Sequence, residues 1–226
     1  MKKIQLLLAA IIVVFASCEL KANIDLPLGL PEGVESIDLG LSVKWATMNV
    51  GATRPEEFGA HFAWGETSTK KLYHWMTYKW CNGTVTTMTK YCIKNEYGDY
   101  GVVDNRTELE DVDDAATVNW GDDWRMPTTA EWQELRSECT WIWTTINRVK
   151  GYKVTAPNGN SIFLPAAGSY WEDGYIQAGG RGDYWSSTLG PVFPQDAYGL
   201  GFYSEAIERT IDSRYVGRSI RPVYNK

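Results

Sequence analysis

Trp124-Arg125-Met126-Pro127-Thr128-Thr129-Ala130-Glu131-Trp132 is the stretch on which the reading of this chain turns. Thr128 and Glu131 stand three residues apart, just before an apolar periodicity. That is the capping-box pattern, in which the Thr hydroxyl accepts from the Glu backbone N–H and the Glu carboxylate reaches back to the Thr N–H. Pro127 precedes the cap, and Trp132, Leu135 and Cys139 follow at spacings of three and four. One face of a helix starting here is therefore apolar. Asp111 to Val118 gives a second, shorter helix, with acids in the first turn where the helix dipole favours them.

Outward from this stretch the signals are strand and turn. Residues 37–46 alternate apolar and polar, with a bend at Gly40, and predict a half-buried strand. Residues 61–65 and 73–81 are aromatic strand candidates. Residues 141–146, 152–156 and 161–164 predict three short strands, the last two joined through Asn158-Gly159, a pair suited to a tight hairpin turn. Residues 197–203, 206–211 and 218–224 predict a closing antiparallel meander. Neither an internal repeat nor a low-complexity segment is present, so residues 36–226 predict one α+β domain.

The N-terminus has a different character. Lys2 and Lys3 precede an apolar run from Ile4 to Phe15 broken only by Gln5. As a helix it would reach about 18 Å, short of a hydrocarbon core of about 30 Å, which predicts an export signal and not a membrane span. Ala16-Ser17-Cys18 sets two small residues before a thiol and resembles a bacterial lipobox. We therefore expect residues 1–17 to be a lipoprotein signal peptide, Cys18 to be lipidated and residues 18–35, with Pro27, Gly29, Pro31 and Gly33, to form a tether. A plain signal peptide with an incidental Cys18 is the alternative. The expected destination is the outer membrane, at the cell surface, with the membrane met through the N-terminal lipid.

The chain has 226 residues, 22 Lys+Arg against 28 Asp+Glu, and 44% hydrophobic residues, which excludes a disordered tail. A net charge of −6 without a basic run argues against a nucleic-acid partner. Eleven tryptophans leave two uses for the aromatic excess, a Trp-packed core or an aromatic binding surface. Cys81 and Cys92 flank an Asn82-Gly83 turn and could face each other across a hairpin; Cys139 fits a buried helix position. Without a Cys-x-x-Cys, and with two histidines, no ordinary zinc site is predicted. The oxygen-rich set Asp104, Asn105, Asp111, Asp113 and Asp114 could offer hard ligands to calcium. Helix capping accounts for Asp111–Asp114, and no metal site is predicted.

Trp124–Trp132 is similar to a W-R-[LM]-P-T-x-x-E-W motif shared by the Fibrobacter succinogenes major paralogous domain family and the formylglycine-generating-enzyme-like group. Residues 38–46, 62–66 (Phe-Ala-Trp-Gly-Glu), 163–168 (Phe-Leu-Pro-Ala-Ala-Gly), 184–187 (Tyr-Trp-Ser-Ser) and 218–223 (Arg-Ser-Ile-Arg-Pro-Val) resemble the first family in order. The resemblance implies a C-type-lectin-like fold: first and last strands paired, two helices flanking a central antiparallel sheet, and a long, loop-rich C-terminal half carrying the ligand face. Members are mostly exported lipoproteins or secreted repeats.

Chemistry finds little support in the sequence. The formylglycine-generating branch works through cysteines late in the chain, and none follows Cys139; its iron-dependent relatives need several histidines. Asp113/Asp114 and Glu108/Glu110 are paired acids, but adjacent acids at a helix start are better read as capping or solvated groups. The calcium-lectin signatures Glu-Pro-Asn and Trp-Asn-Asp are absent. We expect a non-catalytic protein without cofactor that binds a glycan or protein ligand. The alternatives are an adhesin or assembly subunit binding another surface protein and, less favoured, an enzyme of the formylglycine-generating-like group. The candidate ligand residues are Trp171, Tyr175, Tyr203, Glu205, Arg209, Arg214 and Tyr215. Alternation in 197–203 assigns Tyr198, Leu200 and Phe202 to the core side and Tyr203 to the other.

Overall fold

A computed structural model describes residues 27–224. The expected signal peptide and Cys18 lie outside the described residues, as does the first half of the expected tether. Among the described residues no helix is long and apolar enough to cross a membrane.

Among the described residues the chain is mostly β-sheet with two α-helices. Strands β1 (Ser36–Ile37), β2 (Lys44–Ala46) and β3 (His61–Phe62) come first, followed by a long stretch without strands. Helix α1 (Ala115–Trp120), β4 (Trp124–Arg125) and α2 (Thr129–Glu138) follow. Ten strands then run in succession: β5 (Thr140–Ile146), β6 (Val149–Thr155), β7 (Ser161–Pro165), β8 (Ser169–Trp171), β9 (Gly174–Ile176), β10 (Arg181–Leu189), β11 (Asp196–Tyr203), β12 (Ala206–Ser213), β13 (Arg218–Ser219) and β14 (Val223–Tyr224). They form four sheets, ordered β1-β2-β14-β4, β12-β11-β10-β13-β3, β5-β6-β7 and β8-β9.

The first and last segments do pair. Trp45 lies opposite Val223, and Val223 lies opposite Arg125, so the C-terminal strand is clamped between β2 and the Trp124–Trp132 stretch. Thr128 and Glu131 form the reciprocal capping box, with N–H donors at 3.2 and 2.7 Å from their acceptors. Arg125 holds the same Glu131 carboxylate through Nη1 at 2.8 Å. Trp132 then packs on Trp45 at 4.7 Å between ring centroids.

Several expectations are corrected. Sheet and loop are distributed the other way round from the expected loop-rich C-terminal half: the strand-free segment is 63–123, and the second half is strand after strand. The reason is compositional, since 63–123 is crowded with turn formers and lacks sustained alternation, whereas 140–213 alternates repeatedly. Residues 73–81 contain a 3-10 turn at Trp75–Thr77, capped by His74, and not a strand. The helix expected over 111–118 begins at Ala115, because Asp114 takes the N-cap and Asp111–Asp113 form a separate 3-10 turn. Residues 218–224 do not complete a meander with β12; β13 pairs parallel to β10, and β14 belongs to another sheet. The segment 37–46 splits at Gly40, whose φ of 72° turns the chain so that β1 folds back on β2.

The five-stranded sheet separates two apolar cores. Tyr184, Leu200 and Phe202 join Trp45, Trp132, Leu135 and Val154 on one side. Trp185, Leu189 and Ala197 join Phe62, Trp64, Trp124 and the loop aromatics Tyr78 and Tyr91 on the other. Alternating residues of β10 and β11 thus face opposite cores, as the period of two requires. Of the two uses open to the aromatic excess, the core takes most: Trp45, Trp64, Trp120, Trp124, Trp132 and Trp185 are all buried.

Candidate functional site

Trp171 and Tyr175 sit on the β8–β9 hairpin, with Tyr170 opposite Tyr175 and Trp171 opposite Gly174. Trp171 is 43% exposed and Tyr175 41%, which is high for rings with an ordered backing. Trp171 stands edge-on to Tyr215 at 5.4 Å, and Tyr215 is edge-on to Trp75 at 4.9 Å. Tyr175 stacks on Tyr170 at 4.6 Å, Tyr170 stacks on Tyr73 at 5.5 Å, and His61 meets both stacked hairpin rings edge-on. Backbone bonds fix the hairpin on two sides: Tyr73 and Glu172 exchange N–H···O bonds at 2.8 and 3.0 Å, and Tyr170 and Gly217 do so at 2.8 and 2.9 Å. Ile176 on the hairpin and Leu72 and Met76 on the docked segment are exposed as well. The pairing puts Trp171 on one face of the hairpin and Tyr175 on the other, so packing and not loop conformation holds two apolar aromatic surfaces, that of Trp171 over Tyr215 and that of Tyr175 over Tyr170.

His61, under this surface, is buried, and burial lowers its pKa from the ordinary 6.5 to about 4; bonds to the Ala167 and Gly168 carbonyls and the Asp183 charge oppose that shift without reversing it. Burial also drives the Tyr175 phenol well above its ordinary range.

Two of the expected ligand residues are core. Arg214 is fully buried. Its Nε donates to the Tyr78 hydroxyl at 2.8 Å, Nη1 to the carbonyls of Tyr91 and Pro194 at 3.0 and 2.6 Å, and Nη2 to that of Lys90 at 3.1 Å. The guanidinium also lies 5.1 Å from the Trp64 and Tyr78 ring centroids. The strand-free loop turns its carbonyls inward at this point, and a planar fork of donors satisfies several of them at once. Tyr215 is also buried, and burial raises its phenol to about 12, with the Asp212 and Glu172 charges adding to the effect. It is the backing of Trp171 and not a contact surface of its own.

Tyr203, Glu205 and Arg209 lie elsewhere. Tyr203 closes β11 opposite Arg181 and is 41% exposed. With Gln177, Ala178, Gly180 and Arg181 it lines an open depression of about 500 Å³. Glu205 is exposed in the turn that follows. Arg209 is opposite Leu200, so it belongs to the other side of the sheet, where its guanidinium covers the Tyr198 ring at 4.7 Å. Strand alternation therefore separates Arg209 from Tyr203, and the seven expected residues do not form one site.

A charged array missed in the sequence borders the Tyr203 depression. Arg181 Nε donates to both Asp183 oxygens at 2.9 and 3.1 Å. Arg218 pairs with Asp212 at 2.5 Å, donates to Thr210 Oγ1 at 2.9 Å and lies 4.4 Å over the Trp185 ring. Gly199 and Gly201 make room for both arginines: a Cβ at Gly201 would stand 2.9 Å from Arg181 Nη2, and one at Gly199 2.9 Å from Arg218 Nη1. The alternate glycines of Tyr-Gly-Leu-Gly-Phe were the legible signal, since a strand with glycine at every second position leaves one face open for something else.

The acids singled out in the sequence support the strand-free loop. Asp104 accepts from the Tyr91 and Cys92 N–H groups at 2.8 and 2.9 Å. Asp113 accepts from Lys90 at 2.6 Å and the Tyr91 hydroxyl at 2.7 Å. Asp114 accepts from Ala116 and Thr117 at 2.8 and 3.1 Å, and from Met126 at 2.7 Å. Among the described residues no group of three or more His, Cys, Asp or Glu is placed to hold a metal ion. Cys81 and Cys92 do not form the possible cross-hairpin disulfide: both are free and buried, and Cys81 lies opposite Met88. Cys139 is free and partly buried, and burial pushes all three thiols up.

No family model matches the sequence, and no characterised protein or solved structure matches it.

Proposed function

We propose that this chain is an exported, surface-anchored lipoprotein with a C-type-lectin-like domain, resembling the major paralogous domain, and that it binds a glycan without transforming it. The observation that carries this reading is the pair of half-exposed rings at the β8–β9 hairpin, Trp171 on one face and Tyr175 on the other, each backed by packed aromatics. Sugar rings present C–H faces that stack on aromatic planes, and a preformed platform avoids the cost of ordering side chains on binding. Glu172 and Asp173 at the hairpin tip supply carboxylate acceptors for hydroxyl groups beside those rings.

A protein ligand is the second reading. The exposed Leu72, Met76 and Ile176 extend the aromatic surface with aliphatic area, as at the centre of a protein interface. A glycan array probed with the purified protein and with Trp171→Ala tests the first reading. Selective binding lost in the variant supports it. Uniformly flat signals, together with a surface protein retained by the wild type and not by Trp171→Ala, favour the second.

A further inference from the structure

The edge of the three-stranded sheet carries information independent of any ligand. Strand β5 is Thr-Trp-Ile-Trp-Thr-Thr-Ile and pairs on one side only, with β6. Edge strands are ordinarily protected by charge, proline or a bulge. Residues 140–146 contain no charged residue and no proline, and their pairing with β6 runs without a register shift from Thr140↔Thr155 to Ile146↔Val149. Ile142 is 54% exposed on this strand.

The direction of the free backbone groups follows from the turn. Asn147 and Arg148 both have positive φ, 47° and 71°, so β5 and β6 are joined by a two-residue type I′ turn. Such a turn closes on a hydrogen-bonded pair, here Ile146 and Val149, and alternate pairs along an antiparallel ladder are bonded. Ile146, Thr144, Ile142 and Thr140 therefore spend their N–H and C=O groups on β6. Those of Trp141, Trp143 and Thr145 point to the open edge.

We propose that this edge is the interface of a twofold dimer in which β5 pairs antiparallel with β5 of a second copy about Trp143. This register sets Trp143 opposite Trp143 and Trp141 opposite Thr145 in both directions, so every outward-pointing group finds a partner. It also places Ile142 against Thr144 in a non-bonded pair, where side chains approach most closely. The flanking charges agree. Glu138, the last residue of α2, precedes β5 and Arg148, in the turn to β6, follows it, so each end of the antiparallel pair carries one acid and one base. Both side chains are exposed, and among the described residues neither takes part in an ion pair of its own chain. An unrelated strand has no reason to supply this match; a second copy supplies it by symmetry. The product is a continuous six-stranded sheet, β7-β6-β5-β5-β6-β7.

Sedimentation equilibrium of the purified full chain, in density-matched detergent so that an acyl anchor does not report, reads the mass directly. The expected result is two chains per particle. Thr145→Pro removes an outward N–H and leaves the β6 ladder intact, so it should raise the dimer Kd about tenfold or more. Ile142→Glu, which faces Lys153 within the monomer, should do the same without unfolding it. Glu138→Arg should weaken the dimer roughly threefold or more, and Glu138→Arg with Arg148→Glu should restore it. A monomeric wild type at the highest reachable concentration overturns the proposal, as does a dimer indifferent to both strand substitutions while near-UV circular dichroism reports a native fold.

Discussion

Replacing Arg214 with alanine separates a core residue from a ligand contact. The side chain is fully buried, and four donor contacts from it end on Tyr78, Lys90, Tyr91 and Pro194. Truncation removes the donors and leaves three inward carbonyls and a hydroxyl facing a void. Charge-assisted hydrogen bonds contribute about 1.5–3 kcal/mol each, part of which water entering the void recovers. Each buried acceptor left unpaired costs about 1–3 kcal/mol before water recovers part of it, and we expect about 4 kcal/mol for the set. For a domain of this size that is a fall in Tm of roughly 8–16 °C. Arg214→Lys keeps the charge but cannot reach acceptors in four directions from one nitrogen, so it should recover less than half of the loss. Thermal unfolding followed by near-UV circular dichroism reads both variants, with Tyr203→Ala as an exposed control expected to shift Tm by no more than about 2 °C. If Arg214→Ala melted with the wild type, the assignment of this residue to the core would be wrong.

Three further outcomes follow from the geometry. Trp171→Ala should abolish ligand binding and change stability by about 1 kcal/mol or less, because the ring is half exposed while Tyr215 beneath it remains packed by Trp75; a large Tm loss would make Trp171 a structural residue. His61 is held at about 4 by burial, below its ordinary 6.5, so between these values the unfolded chain binds the proton and the folded chain does not. Stability is therefore fully present above pH 6.5 and falls as pH drops towards 4, by up to about 3 kcal/mol. Denaturant titrations should show this fall flattened in His61→Gln, and an unchanged pH profile would refute it. Cys81 and Cys92, buried and with their thiols pushed up, should resist alkylation until the protein unfolds, and reducing agent should leave Tm unchanged; a mass loss of two hydrogens across this pair would contradict the free-thiol assignment.

Local patterns were legible wherever their partners were near in sequence. Thr128 and Glu131 cap α2 because both halves of the box lie within one helical turn, and alternation placed β5, β7, β11 and β12 to within a residue or two and β6 to within three. Six tryptophans that lie in or beside the motif stretches, or on strand or helix faces that should be buried, are buried. Where the partner is distant the sequence was silent or misleading. Nothing near Arg214 announces that its acceptors come from residues 78, 90, 91 and 194, and a polar residue in a loop-and-aromatic stretch reads as surface until those carbonyls are seen to converge on it. Tyr215 is a ligand candidate by composition and a buried support by position, because Trp171 and Trp75 arrive from segments on either side of it in space. Arg209 and Tyr203 are six residues apart, yet a two-residue period carries them to opposite sides of a sheet. Sequence alone thus determined the capping and the strand alternation, which are set by interactions over a few residues. Only the tertiary structure decided which polar and aromatic side chains meet solvent, since that depends on which distant carbonyls and rings the fold brings against them.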